Sequence, residues 1–106
     1  MNDSLQQKFA ALGDATRFAI VDRLLSVGEQ NAGELSDLAD ISAPAMSRHL
    51  KVLREAGLVE RRIDGQHRVY SASPRAIGDI GRWTIAHRDF WSDSFDRLDA
   101  AMKEET

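Results

Sequence analysis

A short run of polar residues in the middle of the chain offers hydrogen bonds and positive charge at helical spacing. Ser47, Arg48 and Lys51 fall on one side of a helix, and His49 lies at the border of that side. Arginine binds guanine edges and phosphate in a bidentate manner, and serine or histidine can bond base edges or phosphate. The pattern predicts a helix face that contacts a nucleic-acid groove.

A second polar group lies on a predicted hairpin further along the chain. Arg62, Gln66, His67 and Arg68 flank Asp64-Gly65, a dipeptide that favours a tight turn because glycine takes a positive φ at little cost. On a ribbon that follows the first helix, these side chains can contact neighbouring phosphates or a minor groove. Phosphate contacts would fix position, and base contacts would fix sequence.

Charge is unevenly distributed along the chain. The 106 residues carry 14 Lys and Arg against 17 Asp and Glu, a formal net charge of −3. Residues 43–75 alone carry seven bases and three acids, a net charge of +4, so the remainder carries −7. Because a polyanion responds to the local field, this basic segment favours a nucleic-acid partner despite the acidic total.

Composition excludes several other classes. The absence of cysteine excludes disulfides, thiolate nucleophiles and cysteine-based metal centres. The longest aliphatic or aromatic run, Phe18-Ala19-Ile20-Val21, is far shorter than a bilayer span, and the start of the chain lacks the basic and apolar regions of a signal peptide. We therefore expect one domain over residues 1–106, a cytoplasmic location and no membrane partner.

The elements that must position the polar residues follow from hydrophobic periodicity and capping residues. A first helix is predicted near residues 4–12. Asp14 is expected to cap a second helix, which ends at Gly28 because glycine tolerates the backbone of a helix stop. The apolar face of this second helix is predicted to hold Phe18, Val21, Leu24 and Leu25.

Two further helices make up the predicted helix-turn-helix. Asn31 and Glu34 have the spacing of a capping box, which predicts a short third helix over residues 31–39. Ser42 is expected to cap the fourth helix, over residues 43–56. The core side of the fourth helix is predicted to hold Met46, Leu50 and Leu53.

After Gly57 the hydrophobic period changes from about 3.6 to about 2, which predicts a two-stranded wing over residues 58–72. Ser73-Pro74 then provides the N-cap and first position of a last helix over residues 74–104. With the helix-turn-helix at 31–56, the predicted fold is mainly α with a small β-hairpin wing. It is a winged helix-turn-helix with long N- and C-terminal dimerisation helices.

The last helix carries an aromatic stripe that favours a contact with a second copy of the chain. So small a domain rarely leaves such a stripe without a partner, although packing within one chain is the alternative. Two-fold pairing would place two recognition helices roughly 34 Å apart, one turn of DNA. The expected dimer interface contains Leu5, Phe9, Leu12, Ile80, Trp83, His87, Phe90, Trp91, Leu98 and Met102.

The sequence resembles the ArsR-type winged helix-turn-helix repressors over most of its length. The run SAPAMSRHLKVLREAGLV, residues 42–59, carries the resemblance, and Leu12-Gly13-Asp14-Ala15-Thr16-Arg17 extends it upstream. Arg61-Arg62, Gly65-Gln66 and Val69-Tyr70 extend it into the wing. The resemblance implies a homodimeric bacterial transcriptional repressor that binds an inverted repeat in double-stranded operator DNA.

Carried over by position, the resemblance implies DNA contacts from the fourth helix and the wing. Many family members have polar residues where this chain has Ala43 and Ala45, so readout is expected to depend more on the other side chains, on thymine methyl contacts and on DNA shape. With the exposed basic face added, the expected DNA-binding residues are Ser42, Ala43, Ala45, Ser47, Arg48, His49, Lys51, Arg62, Gln66, His67 and Arg68.

Metal-sensing members of the resembled family use a Cys-x-Cys pair in the third helix or an Asp and His set in the last helix, and this sequence has neither. We therefore expect a subgroup without the metal motifs, with no metal and no cofactor. A metal-responsive repressor with an atypical site across a dimer, such as His87 with Asp89 and Asp93, is an alternative. His87 is otherwise expected to be buried in the stripe. A small-molecule effector is a further partner that the sequence leaves open.

An enzyme is the least supported class. Ser47 and His49 are two residues apart on a helix and do not face each other, and no glycine-rich phosphate loop occurs. A stronger competitor is a winged-helix protein-interaction module without specific DNA binding. The salt dependence of binding separates these two hypotheses. Log affinity for a DNA groove falls against log salt with a slope of about 0.9 per neutralised phosphate.

Overall fold

Six α-helices and three short strands follow one another in the computed structural model, which describes residues 2–104, with side chains from residue 5 onward. None of these described helices has a stretch long and apolar enough to cross a bilayer. The helices are α1 (Asn2–Leu12), α2 (Ala15–Val27), α3 (Ala32–Leu35), α4 (Ala43–Glu55), α5 (Pro74–Ala86) and α6 (Arg88–Glu104). The strands are β1 (Gln30–Asn31), β2 (Val59–Asp64) and β3 (His67–Ala72).

The predicted N-cap residues each accept a hydrogen bond from the first turn of their helix. These bonds satisfy backbone amides that have no partner within the helix. Asn31 and Glu34 form the full reciprocal capping box, with bonds of 2.8 and 3.0 Å. The predicted helix starts are therefore confirmed at Asp14, Asn31, Ser42 and Ser73.

The third helix is shorter than predicted. The prediction covers residues 31–39, but α3 ends at Leu35 and a 3-10 turn, Ser36–Leu38, follows it. The Ser36 hydroxyl donates to the carbonyl of Gly33, at 2.6 Å. Such a local side-chain bond competes with the α-helical pattern and favours a tighter turn.

The core lies where α2, α3 and α4 meet the base of the sheet. Met46, Leu50 and Leu53 are buried, as predicted, and they anchor α4 along one side. Burial of a side chain of this size contributes roughly 1.5 to 3 kcal/mol. The largest fully buried side chains are Ile20, Leu35, Leu53 and Leu58.

The predicted apolar face of α2 is half wrong. Val21 and Leu24 are buried, but Phe18 is 57% exposed and Leu25 is 54% exposed, while Ile20 is fully buried. At 100° per residue, Phe18 and Leu25 lie roughly 100° around the helix from the centre of the buried side. A second apolar strip of α2, which contains Phe18 and Leu25, therefore faces solvent.

The sheet has three antiparallel strands in the order β1-β3-β2. The two strands of the predicted wing are therefore joined by a third strand, β1, that was not predicted. β1 pairs Gln30 with Tyr70. The hairpin pairs Asp64 with His67, so its two turn residues are Gly65 and Gln66 rather than Asp64-Gly65. Gly65 has a φ of 64° and Gln66 has no positive φ, the pattern of a type II′ turn that favours glycine at its first position.

The predicted last helix, residues 74–104, is wrong in one respect, because it is broken at His87 into α5 and α6. The His87 ring donates through Nδ1 to the carbonyl oxygen of Trp83, at 2.8 Å, since a carbonyl can only accept. The backbone N–H of His87 bonds the Thr84 carbonyl instead, at 3.2 Å. The side chain thus occupies the acceptor that a continuous helix would use for its backbone.

Candidate nucleic-acid interface

The second helix of the helix-turn-helix, α4, presents a polar side to solvent. Because Met46 and Leu50 are buried, Ser47, Arg48 and Lys51 are exposed, as the spacing predicts. At the N-terminus of the helix, the predicted contact residues Ser42 and Ala43 are exposed and Ala45 is partly buried. The Ser42 hydroxyl accepts a hydrogen bond from Ala45 N–H at 3.2 Å, so its oxygen already serves as the helix cap.

The wing extends beyond the core beside α4. Only the root of β2 is buried, at Val59, and the predicted contact residues Gln66, His67 and Arg68 are exposed at the tip and along β3. Ile63 on β2 is also exposed. The hairpin tip is therefore free to meet a large ligand that α4 also contacts.

A groove of about 260 Å³ separates α4 from the wing. Two of its basic residues, Arg54 and Arg61, were not among the predicted site residues. Arg54 lies three residues after Lys51 on α4, and Arg61 pairs across the sheet with Tyr70. Helical spacing pointed to Arg54, whereas Arg61 required the strand register. The groove is lined by Ser47, Lys51, Arg54, Glu55, Arg61, Arg68 and Tyr70.

Arg62 differs from the other predicted wing residues because its guanidinium is engaged within the chain. Its Nε and Nη2 atoms donate to both carboxylate oxygens of Glu29, at 3.0 and 3.2 Å, and Asp64 lies 3.8 Å away. These hydrogen bonds and the charge of Arg62 hold the pKa of the Glu29 carboxyl below its ordinary value. The same bonds raise the pKa of Arg62. Arg62 is thus held at the base of the wing.

His49, also predicted to contact DNA, lies at the border between core and solvent with its side chain 22% exposed. Arg17 Nη1 donates to His49 Nδ1 at 3.3 Å, and the carboxylate of Asp14 is 3.8 Å from the same nitrogen. Arg17 also donates through Nε to the carbonyl of Ala11, at 2.7 Å. The Nδ1 edge of the imidazole therefore links α4 to the junction of α1 and α2.

Asp14 is the anionic member of this junction. Its carboxylate accepts the backbone N–H of Arg17 at 3.0 Å. That bond is the main reason why the pKa of Asp14 is lowered, and the charges of Arg17 and His49 lower it further. The cap of α2 and the position of α4 therefore depend on the same carboxylate.

The residues predicted to form a dimer interface fall into two groups. Leu12 and Ile80 pack against the chain's own core, and Trp83 meets Phe9 edge to face at 5.4 Å. By contrast, no side chain of α6 is buried. His87, expected to be buried, is exposed in the single chain because α5 ends there. The large exposed apolar residues of α6 are Phe90, Trp91, Phe95, Leu98 and Met102.

The fold does not assemble the alternative metal site in the described part of the chain. Among residues 2–104, no three His, Asp or Glu side chains come together as metal ligands. His87 lies at the break between helices, and its Nδ1 is bonded to the Trp83 carbonyl. Within a single chain, the structure thus does not bring His87, Asp89 and Asp93 into one cluster.

Comparison with known proteins supports the same architecture. Residues 12–62 match a family model described as a helix-turn-helix domain. The chain is 43% identical over 88 residues to the HTH-type transcriptional regulator Rv2034 of Mycobacterium tuberculosis, covering 78% of this chain and 81% of that protein. It is 34% identical over 77 residues to the transcriptional repressor SdpR of Bacillus subtilis, covering 73% and 84%.

A solved structure agrees along nearly the whole chain. The ArsR-like transcriptional regulator from Rhodococcus sp. RHA1 superposes with a TM-score of 0.69 at 30% identity, covering 99% of this chain and 94% of that one. The helix-turn-helix, the hairpin wing and these relatives define a winged helix-turn-helix, DNA-binding regulator of transcription rather than an enzyme. Within that class, the chain belongs to the ArsR-type family.

Proposed function

We propose that the chain is a homodimeric repressor that binds an inverted-repeat operator in double-stranded DNA. The observation that carries the proposal is the exposed Ser47, Arg48 and Lys51 face of α4 beside a projecting basic wing. A helix of this kind fits the major groove, and a ribbon beside it can contact the flanking backbone. Relatives named as repressors support the direction of regulation. A regulator of chromosomal genes acts in the cytoplasm.

Base contacts are assigned to the N-terminal half of α4. Arg48 is exposed and has no ion-pair partner among the described residues, so it is available to bond guanine in a bidentate manner. Ser47 and the outer edge of His49 add hydrogen bonds, and the methyl groups of Ala43 and Ala45 can contact thymine. The remaining proposed contacts are to the sugar-phosphate backbone of DNA. They come from Ser42, Lys51, Gln66, His67 and Arg68.

Arg62 has a different proposed role. Its guanidinium already binds Glu29 through two hydrogen bonds, which satisfy most of its bidentate donor face. In the proposal, Arg62 therefore fixes the base of the wing, and the charge near the tip that meets phosphate comes from Arg68. Release of Arg62 from Glu29 would be needed before its Nε and Nη2 edge could bind DNA.

The dimer is assigned to α6 and to the Phe9 and Trp83 contact beside it. Five large apolar side chains on α6 are exposed in the single chain, which is the pattern of a face that meets a partner. Two-fold pairing of these arms would present two copies of α4 to one face of DNA. Half-site spacing of roughly 34 Å would follow from that symmetry.

Selection of genomic DNA fragments by the purified, tag-free protein at about 0.15 M salt tests the proposal. Recovery of one inverted repeat by the wild-type protein, with loss of selection by Arg48→Ala, is the expected result. Lys103→Ala, which removes one positive charge from the polar side of α6, serves as the control and should select the same repeat. Recovery of no preferred sequence by the wild type would contradict the proposal.

A further inference from the structure

The groove between α4 and the wing is lined mainly by positively charged residues. Lys51 and Arg54 line it from α4, and Arg61 and Arg68 line it from the two strands of the wing. Its one carboxylate, Glu55, lies 4.0 Å from Lys51 in the same helix. The groove therefore has four cationic groups against one anionic group, a local charge of +3.

Three of these cations have no counter-charge of their own. Among the described residues, no carboxylate lies within salt-bridge distance of Arg54, Arg61 or Arg68. Elsewhere in the fold, Arg62 and Arg82 are both paired with acids. Like charges that lie close together without a partner repel one another. Entry of an anion into the groove therefore lowers the free energy of the protein.

The shape of the groove favours a phosphate rather than a base edge. It lies between two elements, with Tyr70 among its lining residues and arginines from both α4 and the wing. Planar guanidinium groups bind phosphate oxygens in a bidentate manner. Arg48, by contrast, is not part of the groove lining and is available to the bases.

We propose that this groove binds a backbone phosphate of the DNA strand that passes between α4 and the wing, with Arg54 and Arg61 as its principal ligands. The inference rests on the proposed DNA-binding function and deepens it, because it assigns two arginines that were not among the predicted DNA-binding residues. A phosphodiester that bridges the two elements would also fix the angle between α4 and the wing.

Salt-dependent binding of Arg54→Ala and Arg61→Ala to the selected operator and to an unrelated duplex tests the assignment. Each variant should bind both duplexes about five- to tenfold more weakly at 0.15 M salt for each protomer engaged. The slope of log affinity against log salt should fall by about 0.9 per protomer, with sequence preference unchanged. Arg61→Lys should restore part of the affinity, and Lys103→Ala on the polar side of α6 should leave both the affinity and the slope unchanged.

The outcomes separate this inference from the function on which it rests. If the wild type selects an operator and Arg48→Ala loses it, while Arg54→Ala and Arg61→Ala keep the wild-type affinity and slope, the phosphate assignment is overturned and the function stands. If the wild type selects no DNA, the function itself fails. Thermal unfolding checks folding, and because both changes relieve like-charge repulsion, neither should lower the midpoint.

A second arm distinguishes the strand phosphate from a free anion. Inorganic phosphate is titrated against the wild type and Arg61→Ala while thermal unfolding is followed. Weak stabilisation only at millimolar concentrations, with the altered DNA slope above, supports a strand phosphate. Tight stabilisation of the wild type that Arg61→Ala abolishes, with an unaltered DNA slope, would instead show a free-anion site and overturn the assignment.

Discussion

The carboxylate of Glu29 holds the guanidinium of Arg62 through two hydrogen bonds of 3.0 and 3.2 Å, although the residues are 33 positions apart in sequence. Glu29 precedes β1, and Arg62 lies in the middle of β2, two strands away. The pair therefore joins both edges of the sheet on one face and neutralises one positive charge of the surface proposed to contact DNA.

Glu29→Gln should strengthen DNA binding at low salt. The amide keeps the size of the side chain but no longer neutralises Arg62, so the wing gains a free cation and the salt slope should rise by up to about 0.9 per protomer. Fluorescence anisotropy with a labelled duplex over a salt series measures both quantities. Glu60→Gln, which removes the same charge from β2 without releasing an arginine, is the control. Equal effects of the two changes would contradict the specific role of the pair.

Acid should weaken the fold through Glu29 and Asp14. The pKa values of both carboxyls are lowered in the folded state, from ordinary values of 4.5 and 3.8, so each group contributes stability that is complete above those values. That contribution is lost as pH falls through the lower folded-state pKa. Urea midpoints from neutral pH to about pH 3 should fall less steeply for Glu29→Gln than for the wild type. Parallel curves would contradict the coupling.

His49→Ala should cost stability as well as DNA affinity. The change removes the acceptor for Arg17 Nη1 at the junction of α1, α2 and α4, a hydrogen bond worth about 0.5 to 1.5 kcal/mol. Urea unfolding measures the loss, and His49→Gln, which keeps an acceptor, should recover part of it. A loss of DNA affinity without any loss of stability would instead show that His49 acts only through DNA.

Leu98→Glu should dissociate the proposed dimer. Leu98 lies on the exposed apolar side of α6, and a charge there would be buried without a partner on assembly. Sedimentation at micromolar concentration measures the change, and Lys103→Ala on the polar side of the helix should leave the association unchanged. A wild-type protein that sediments as a monomer would remove the basis of the prediction.

Leu53→Ala should lower the free energy of unfolding by about 2 to 5 kcal/mol, because Leu53 is fully buried and the change leaves a cavity beneath α4. Val52→Ala, at the exposed neighbouring position, should cost far less. Urea unfolding of the two variants measures the difference. Similar costs would show that α4 is not anchored on the Leu53 side.

The features that local chemistry determines were predicted from the sequence. Helix caps such as Asp14 and Ser42 depend on residues three positions away, and the burial of Met46, Leu50 and Leu53 follows from helical spacing. The wing also followed from a change of period near Gly57. These signals all lie within a few residues of the structure that they predict.

The features that the sequence did not predict depend on distant partners. Strand β1 exists because Gln30 pairs with Tyr70, forty positions later, and nothing in two residues predicts that pairing. Arg62 was expected to contact DNA, because the sequence does not show that Glu29, 33 positions away, binds its guanidinium. Arg61 joined the site only when strand register placed it beside α4. The break at His87 required a ring nitrogen to displace a backbone donor, which periodicity does not detect.

Both tryptophans of the chain, Trp83 and Trp91, lie on α5 and α6, outside the winged core. Trp83 has the His87 ring 4.9 Å away and Phe9 of α1 at 5.4 Å, while Trp91 stacks on Phe95 of its own helix. Tryptophan emission, excited at wavelengths that Tyr70 does not absorb, therefore reports on the arms alone. If the arms pair as proposed, this emission would follow dissociation of the two subunits without any label, and the helix-turn-helix and the wing would contribute no tryptophan signal.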